Sequence, residues 1–119
     1  MSKRTYRLER LPDGSAVVTV VPEAGRRPYD LWAAHVRRRG AKHSPTGFEW
    51  GYSGSGPAEL ARAIMSDFLG REANPAEYQR FKAEIIAWVP YLGGELCLTT
   101  TEVSPGYSYL FKQPAPVWG

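Results

Sequence analysis

The residues whose types and spacing could do chemistry lie in one run, Ser44-Pro45-Thr46-Gly47-Phe48-Glu49-Trp50-Gly51-Tyr52-Ser53-Gly54-Ser55-Gly56-Pro57-Ala58-Glu59-Leu60-Ala61. It reads as a turn, a short strand, a Gly/Ser loop and a helix start. With Gly56 as N-cap and Pro57 at the first helical position, Glu59 falls at the third, beside the positive end of the helix dipole. The amides of Ser53, Gly54, Ser55, Gly56 and Ala58 would then converge on one spot, which suits a phosphate or carboxylate. The same glycines also satisfy a tight strand-to-helix turn with no ligand. Neither a Walker A loop nor the dinucleotide-binding glycine spacing is present.

Glu49 is the one acid in the strand part of the run, set between Phe48 and Trp50 with a glycine beyond each. It is a weak catalytic candidate, as general base or ligand contact; a surface carboxylate is the simpler alternative. Phe48, Trp50 and Tyr52 alternate, so a strand puts all three on one face. Such a face is either core or a base-stacking platform, on which Trp50 and Tyr52 would meet a partner.

A second candidate is electrostatic. Residues 1–45 hold ten Lys/Arg against four Asp/Glu, and residues 46–119 hold five against eight. The positive charge peaks at Arg37-Arg38-Arg39 with Lys42, flanked by His35 and His43. A cluster of this kind attracts nucleic acid or an acidic protein surface, or is simply a solvated loop.

Other chemistry is poorly supplied. Two histidines and a lone Cys97 offer no metal set and no disulfide. Ser44 follows His43, but no third group marks a nucleophilic site. No metal, no cofactor and no enzyme activity is expected. The N-terminus lacks an apolar signal core, and no apolar run reaches the roughly 20 residues of a bilayer span. The expectation is a cytoplasmic protein with no membrane partner. Its oligomeric state is open.

The Ser44–Ala61 run resembles the signature of a family of small uncharacterised proteins from bacteria, archaea and their phages. That signature reads Ser-Pro-x-Gly-Phe-x-Trp-Gly-Tyr-x-Gly-Ser-Gly-Pro-Ala-x-Leu-Ala. An apolar helix and a second helix with Tyr78 and Phe81 continue the likeness, which spans roughly residues 5 to 103. Ser53 stands where the family more often has glycine, and Arg62 interrupts a helix that is usually more apolar. The resemblance implies a domain of unknown function, frequent in mobile elements, with no activity to carry over.

These residues need elements to position them. Thr5–Leu11 and Ala16–Val21, around Pro12-Asp13-Gly14, read as a β-hairpin. Residues 29–39 fit a helix capped by Asp30 or an edge strand; the helix is expected. Pro57–Leu69 is amphipathic, with Leu60, Ala61, Ile64, Met65 and Phe68 on one stripe and Gly70 as the stop. Asn74-Pro75-Ala76-Glu77 opens a second helix to about Val89, burying Tyr78, Phe81, Ile85, Trp88 and Val89. Glu95–Val103 is a last strand. The tail 104–119, aromatic and proline-rich, should dock on the domain or on a partner.

The expected fold is therefore α+β in one domain, 1–119. A small antiparallel sheet of about four strands carries two main helices on one face. The expected function is a non-enzymatic binding or regulatory protein of a phage or mobile element that engages an anionic partner. The alternatives are a phosphate binder or nucleotide-directed enzyme using the Gly/Ser loop, and a structural module whose interface is the tail.

Overall fold

The structure, a computed structural model, describes residues 3–23 and 25–113. Strands β1 (Lys3–Arg10) and β2 (Ala16–Val21) form the expected hairpin. Its turn closes because the Gly14 amide donates to the Leu11 carbonyl and the Ser15 amide to the Asp13 carboxylate. β3 (Tyr29–Asp30) pairs with β2 and runs directly into helix α1 (Leu31–Arg38). Residues 29–39 therefore contain both a short edge strand and the expected helix. Asp30 ends the strand and caps the helix by accepting the Ala33 amide at 2.9 Å.

Helix α2 (Ser55–Leu69) is followed by α3 (Pro75–Glu84) and a 3-10 turn (Ile86–Trp88). β4 (Gly93–Thr100) and β5 (Tyr107–Lys112) complete an antiparallel sheet of order β3-β2-β1-β4-β5. There are five strands, not four. Val117 and Trp118, on which part of the tail expectation rests, lie outside the described residues.

Period-two alternation divides the sheet into two faces. Tyr6, Leu8, Val18, Val20, Leu96 and Leu98 are buried and join Leu60, Ile64, Met65 and Phe81 of the helices in one core. Their neighbours Arg7, Glu9 and Glu95 face outward and are exposed. At the crossing of β1 and β4, Gly93 has φ +91°, and a Cβ there would lie 2.0 Å from the Leu8 carbonyl oxygen. Only glycine fits.

Three sequence expectations are corrected. First, Phe48–Tyr52 is not a strand: Phe48–Trp50 has no regular structure and Gly51–Tyr52 is a bend, tied to the hairpin by the Arg10–Glu49 pair and to the 3-10 turn by Gly51. The Gly51 amide donates to the Ile86 carbonyl at 3.0 Å, and Gly51 has φ +88°, which turns the chain after Trp50. Phe48 and Trp50 are buried, and Tyr52 is 51% exposed. Second, α2 begins two residues early, with Gly54 as N-cap, so Pro57 is its third residue and Glu59 its fifth. Third, α3 stops at Glu84. Ile85 leaves helical geometry, and this reorientation buries Ile86 and Val89 but leaves Trp88 79% exposed.

Candidate functional site

α2 is buried on nearly every side, from Gly56 through Ser66. Small residues at Ala58, Ala61 and Ala63 let neighbouring elements close on it. Inside that shell stands Glu59, fully buried. Its Oε1 accepts the successive amides of Lys42, His43 and Ser44 at 2.7, 2.5 and 3.1 Å. Its Oε2 lies 2.6 Å from His35 Nε2 and 2.9 Å from Arg62 Nη1. The carboxylate thus fills an amide nest made by its own chain. Arg62 Nη1 also donates to the Gly40 carbonyl, and its Nε pairs with Glu72 at 2.7 Å. His43 Nε2 meets the Tyr78 hydroxyl at 2.8 Å. α1, the 40–44 loop, α2 and α3 all converge here.

Burial pushes the Glu59 carboxyl up, but the His35 contact and the three amides outweigh it and hold it at about 2. His35 moves the other way from its geometry: burial lowers it more than Glu59 raises it, with Arg62 adding to the lowering. The ring is therefore neutral and donates Nε2–H to the carboxylate. Arg62 Nη1, 3.2 Å from the same nitrogen, is then a close approach and not a hydrogen bond.

A second polar centre lies at the far end of β1. The Arg10 guanidinium is sandwiched between the Trp50 and Tyr91 rings, 4.6 and 4.4 Å from their centroids. It pairs with Glu49 at 2.8 Å and donates to the carbonyls of Tyr91 and Gly14. The Trp50 indole N–H also donates to Tyr91 O. Glu49 is thus the counter-ion of Arg10, and its stem packs on Gly56, where an added Cβ would lie 2.7 Å from Glu49 Cβ. A third centre joins Asp67 of α2 to Arg4 at 2.7 Å and to the hydroxyls of Tyr6 and Tyr29. Burial and that carboxylate push the Tyr29 phenol up to about 12.

Between the first two centres, at the N-terminus of α2, opens a cleft of about 410 Å³. Ser15, Ser44, Thr46, Glu49, Tyr52, Ser55 and Gly56 are among its lining residues. Of the proposed anion-binding amides, Ala58 is spent within the helix on the Gly54 carbonyl at 3.0 Å. Ser55 and Gly56 line the cleft, and Ser53 and Gly54 do not, so two of the five expected residues are placed at it.

The basic residues divide. Arg39 is tied to Glu72 at 3.4 Å. Arg37, Arg38 and Lys42 are exposed, and their side chains make no hydrogen bond or ion pair among the described residues. Trp50, expected as a partner contact, is buried against Arg10 and closed to a partner. Tyr52 is exposed at the cleft, whose lining includes none of the cations of α1.

Two organising residues, Glu59 and Arg10, are not among the sequence candidates. A signal for the first existed: Glu59 and Arg62 stand three apart on the polar side of the helix, a spacing at which a carboxylate and a guanidinium meet. For Arg10, nothing local distinguishes it from Arg7.

Among the described residues no three His, Cys, Asp or Glu side chains are grouped to hold a metal ion. No helix among them is long and apolar enough to cross a membrane. No curated protein and no solved structure is found to match the chain. Residues 6–106 do match DUF6166, a family of unknown function, and the chain belongs to that family.

Proposed function

We propose that the protein is a non-enzymatic binding protein that engages an anionic macromolecule, nucleic acid, through Arg37, Arg38 and Lys42. The observation that carries this reading is the contrast within one short segment. Glu59 fixes the backbone at Lys42–Ser44 through three amides and ties α1, which carries Arg37 and Arg38, through His35, while those three cations have no hydrogen-bonded or ion-paired partner among the described residues. Cations on a held backbone lose less entropy on binding than cations on a loose loop. Arg37 and Arg38 lie in the last turn of α1, where positive charge suits the helix dipole and stabilises the free protein.

Phosphate is favoured over a carboxylate surface by the hydroxyls beyond Lys42. Ser44 and Thr46 lead directly into the cleft at the start of α2, so a strand crossing Lys42 meets further donors. The resemblance to phage and mobile-element proteins supports a regulatory role in such an element, in the cytoplasm. Fluorescence anisotropy with a labelled duplex and a labelled single strand tests the reading. Three phosphate contacts predict a log–log salt slope of about −2 to −3. No binding at low salt eliminates nucleic acid and leaves an acidic protein surface as the partner.

The cleft gives a second reading its own support: a small phosphate ligand held by the amides of Ser55 and Gly56 and the hydroxyls of Ser44, Thr46 and Ser55. A thermal-shift titration with inorganic phosphate and nucleotides tests it. A rise in Tm abolished by Gly56→Val, with the basic segment intact, is the expected result; a flat titration rejects it.

A further inference from the structure

The sheet has two edges, and the chain treats them differently. Proteins blunt exposed edges by shortness, charge, proline or a bulge. The β3 edge is two residues long and passes at once into α1. The β5 edge has none of these devices along its exposed length. It pairs with β4 in unbroken register from Tyr107 to Lys112. It contains no proline, and its one charge, Lys112, stands at the end.

It exposes a large apolar or aromatic side chain on each face, with the polar Ser108 and Lys112 flanking the open-face one. Leu110, opposite Cys97, points to the open face and is 59% exposed. Tyr109, opposite buried Leu98, points to the helix side and is 53% exposed. There it borders a groove of about 210 Å³ with Ile85, Trp88, Val89 and Phe111, and the exposed Trp88 also lines it.

We infer that β5 is a self-association edge, at which a second copy of this chain pairs its own β5 antiparallel and continues the sheet across a two-fold axis. Opposed residues share a face, so the register must match inward with inward. The register with Leu110 opposite Leu110 of the second copy does this. It joins the two leucines on the open face. It also sets Tyr109 against Phe111 of the second copy on the helix side, where the pair closes over the groove and Trp88.

Charge allows this register. Each Lys112 stands opposite Ser108 of the other copy, and the two ammonium groups are separated by four residues along the ladder, about 14 Å. The edge's one charge therefore meets no like charge. Both copies use the same patch, so the contact closes at two and does not propagate. Neither the basic segment nor the cleft takes part.

Sedimentation of the full chain at about 100 μM tests the inference, a range in which even a modest dimer is populated. A dimer is expected. Leu110→Lys would oppose two ammonium groups at the axis and should give a monomer that melts like the wild-type chain diluted below its dimerisation range, because that side chain points to water in the free chain. Tyr109→Lys is the second variant, should the first fold poorly, and is also expected to be monomeric. Thr19→Lys, on the open face but away from this edge, should remain dimeric. A monomeric wild-type chain, or a dimer that survives both edge substitutions, overturns the inference.

Discussion

Glu59 and the cations of residues 37–42 lie close together in the fold and at opposite extremes of solvation. Glu59 is fully buried, and its two oxygens meet five donors. Arg37, Arg38 and Lys42 are in water with no side-chain donor committed among the described residues. A buried charge is strongly coupled to the fold, because removing its partners leaves an uncompensated group. An exposed and unpaired charge contributes little to the fold, so its side chain is available for another molecule. The two regions are linked: the carboxylate fixes the backbone at Lys42 directly and tethers the helix that carries Arg37 and Arg38 through His35.

The comparison can be broken at its buried end. Glu59→Ala removes the acceptor for three amides and the partner of Arg62, and should cost about 3–5 kcal/mol, measured by urea denaturation. Acidification should reproduce much of this without mutation. The Glu59 carboxyl is held at about 2, below its ordinary 4.5, so its contribution is present above pH 4.5 and lost as the pH falls toward 2. That window is worth on the order of 3 kcal/mol. His35 is lowered too, so protons binding the unfolded chain below its ordinary 6.5 subtract stability with the same sign. Stability measured from pH 7 downward should therefore fall first gently and then steeply. A flat profile between pH 5 and 3 would contradict the Glu59 network.

A smaller effect sharpens the comparison at the second polar centre. Arg10→Lys keeps the charge but loses the planar stack between Trp50 and Tyr91 and the fork that reaches Glu49 and two carbonyls. A loss of about 1–3 kcal/mol is expected, with the Trp50 environment read by fluorescence. The smallest stability effect belongs to the exposed end. Arg37→Ala, Arg38→Ala and Lys42→Ala together should shift Tm by no more than about 2 °C.

How much of this was legible in the sequence depends on the range of the interactions. The Asn74-Pro75-Ala76-Glu77 signal marked the start of α3 and its capping box, because every partner lies within four residues. The hairpin was legible for the same reason. Phe48–Tyr52 was misread because its alternation is genuine through Trp50 and is interrupted by a bond from Gly51 to Ile86, thirty-five positions away. The start of α2 was misplaced because proline is tolerated throughout the first turn, where amides have no helical acceptor. Glu59 was assigned to the helix dipole, since its amide partners at residues 42–44 come from a loop with no pattern of its own. Arg10 depends on Trp50 and Tyr91, which only the folded chain brings to it.

The most direct test of the central claim is nucleic-acid binding by the wild-type chain and by the Arg37→Ala/Arg38→Ala/Lys42→Ala variant across a salt series, with Tm measured on both. The account predicts melting temperatures within about 2 °C of each other, wild-type affinity that falls steeply with salt, and a variant whose affinity is lost or whose slope is reduced by about one for each cation removed. Equal affinity and equal slope for the two proteins would contradict it.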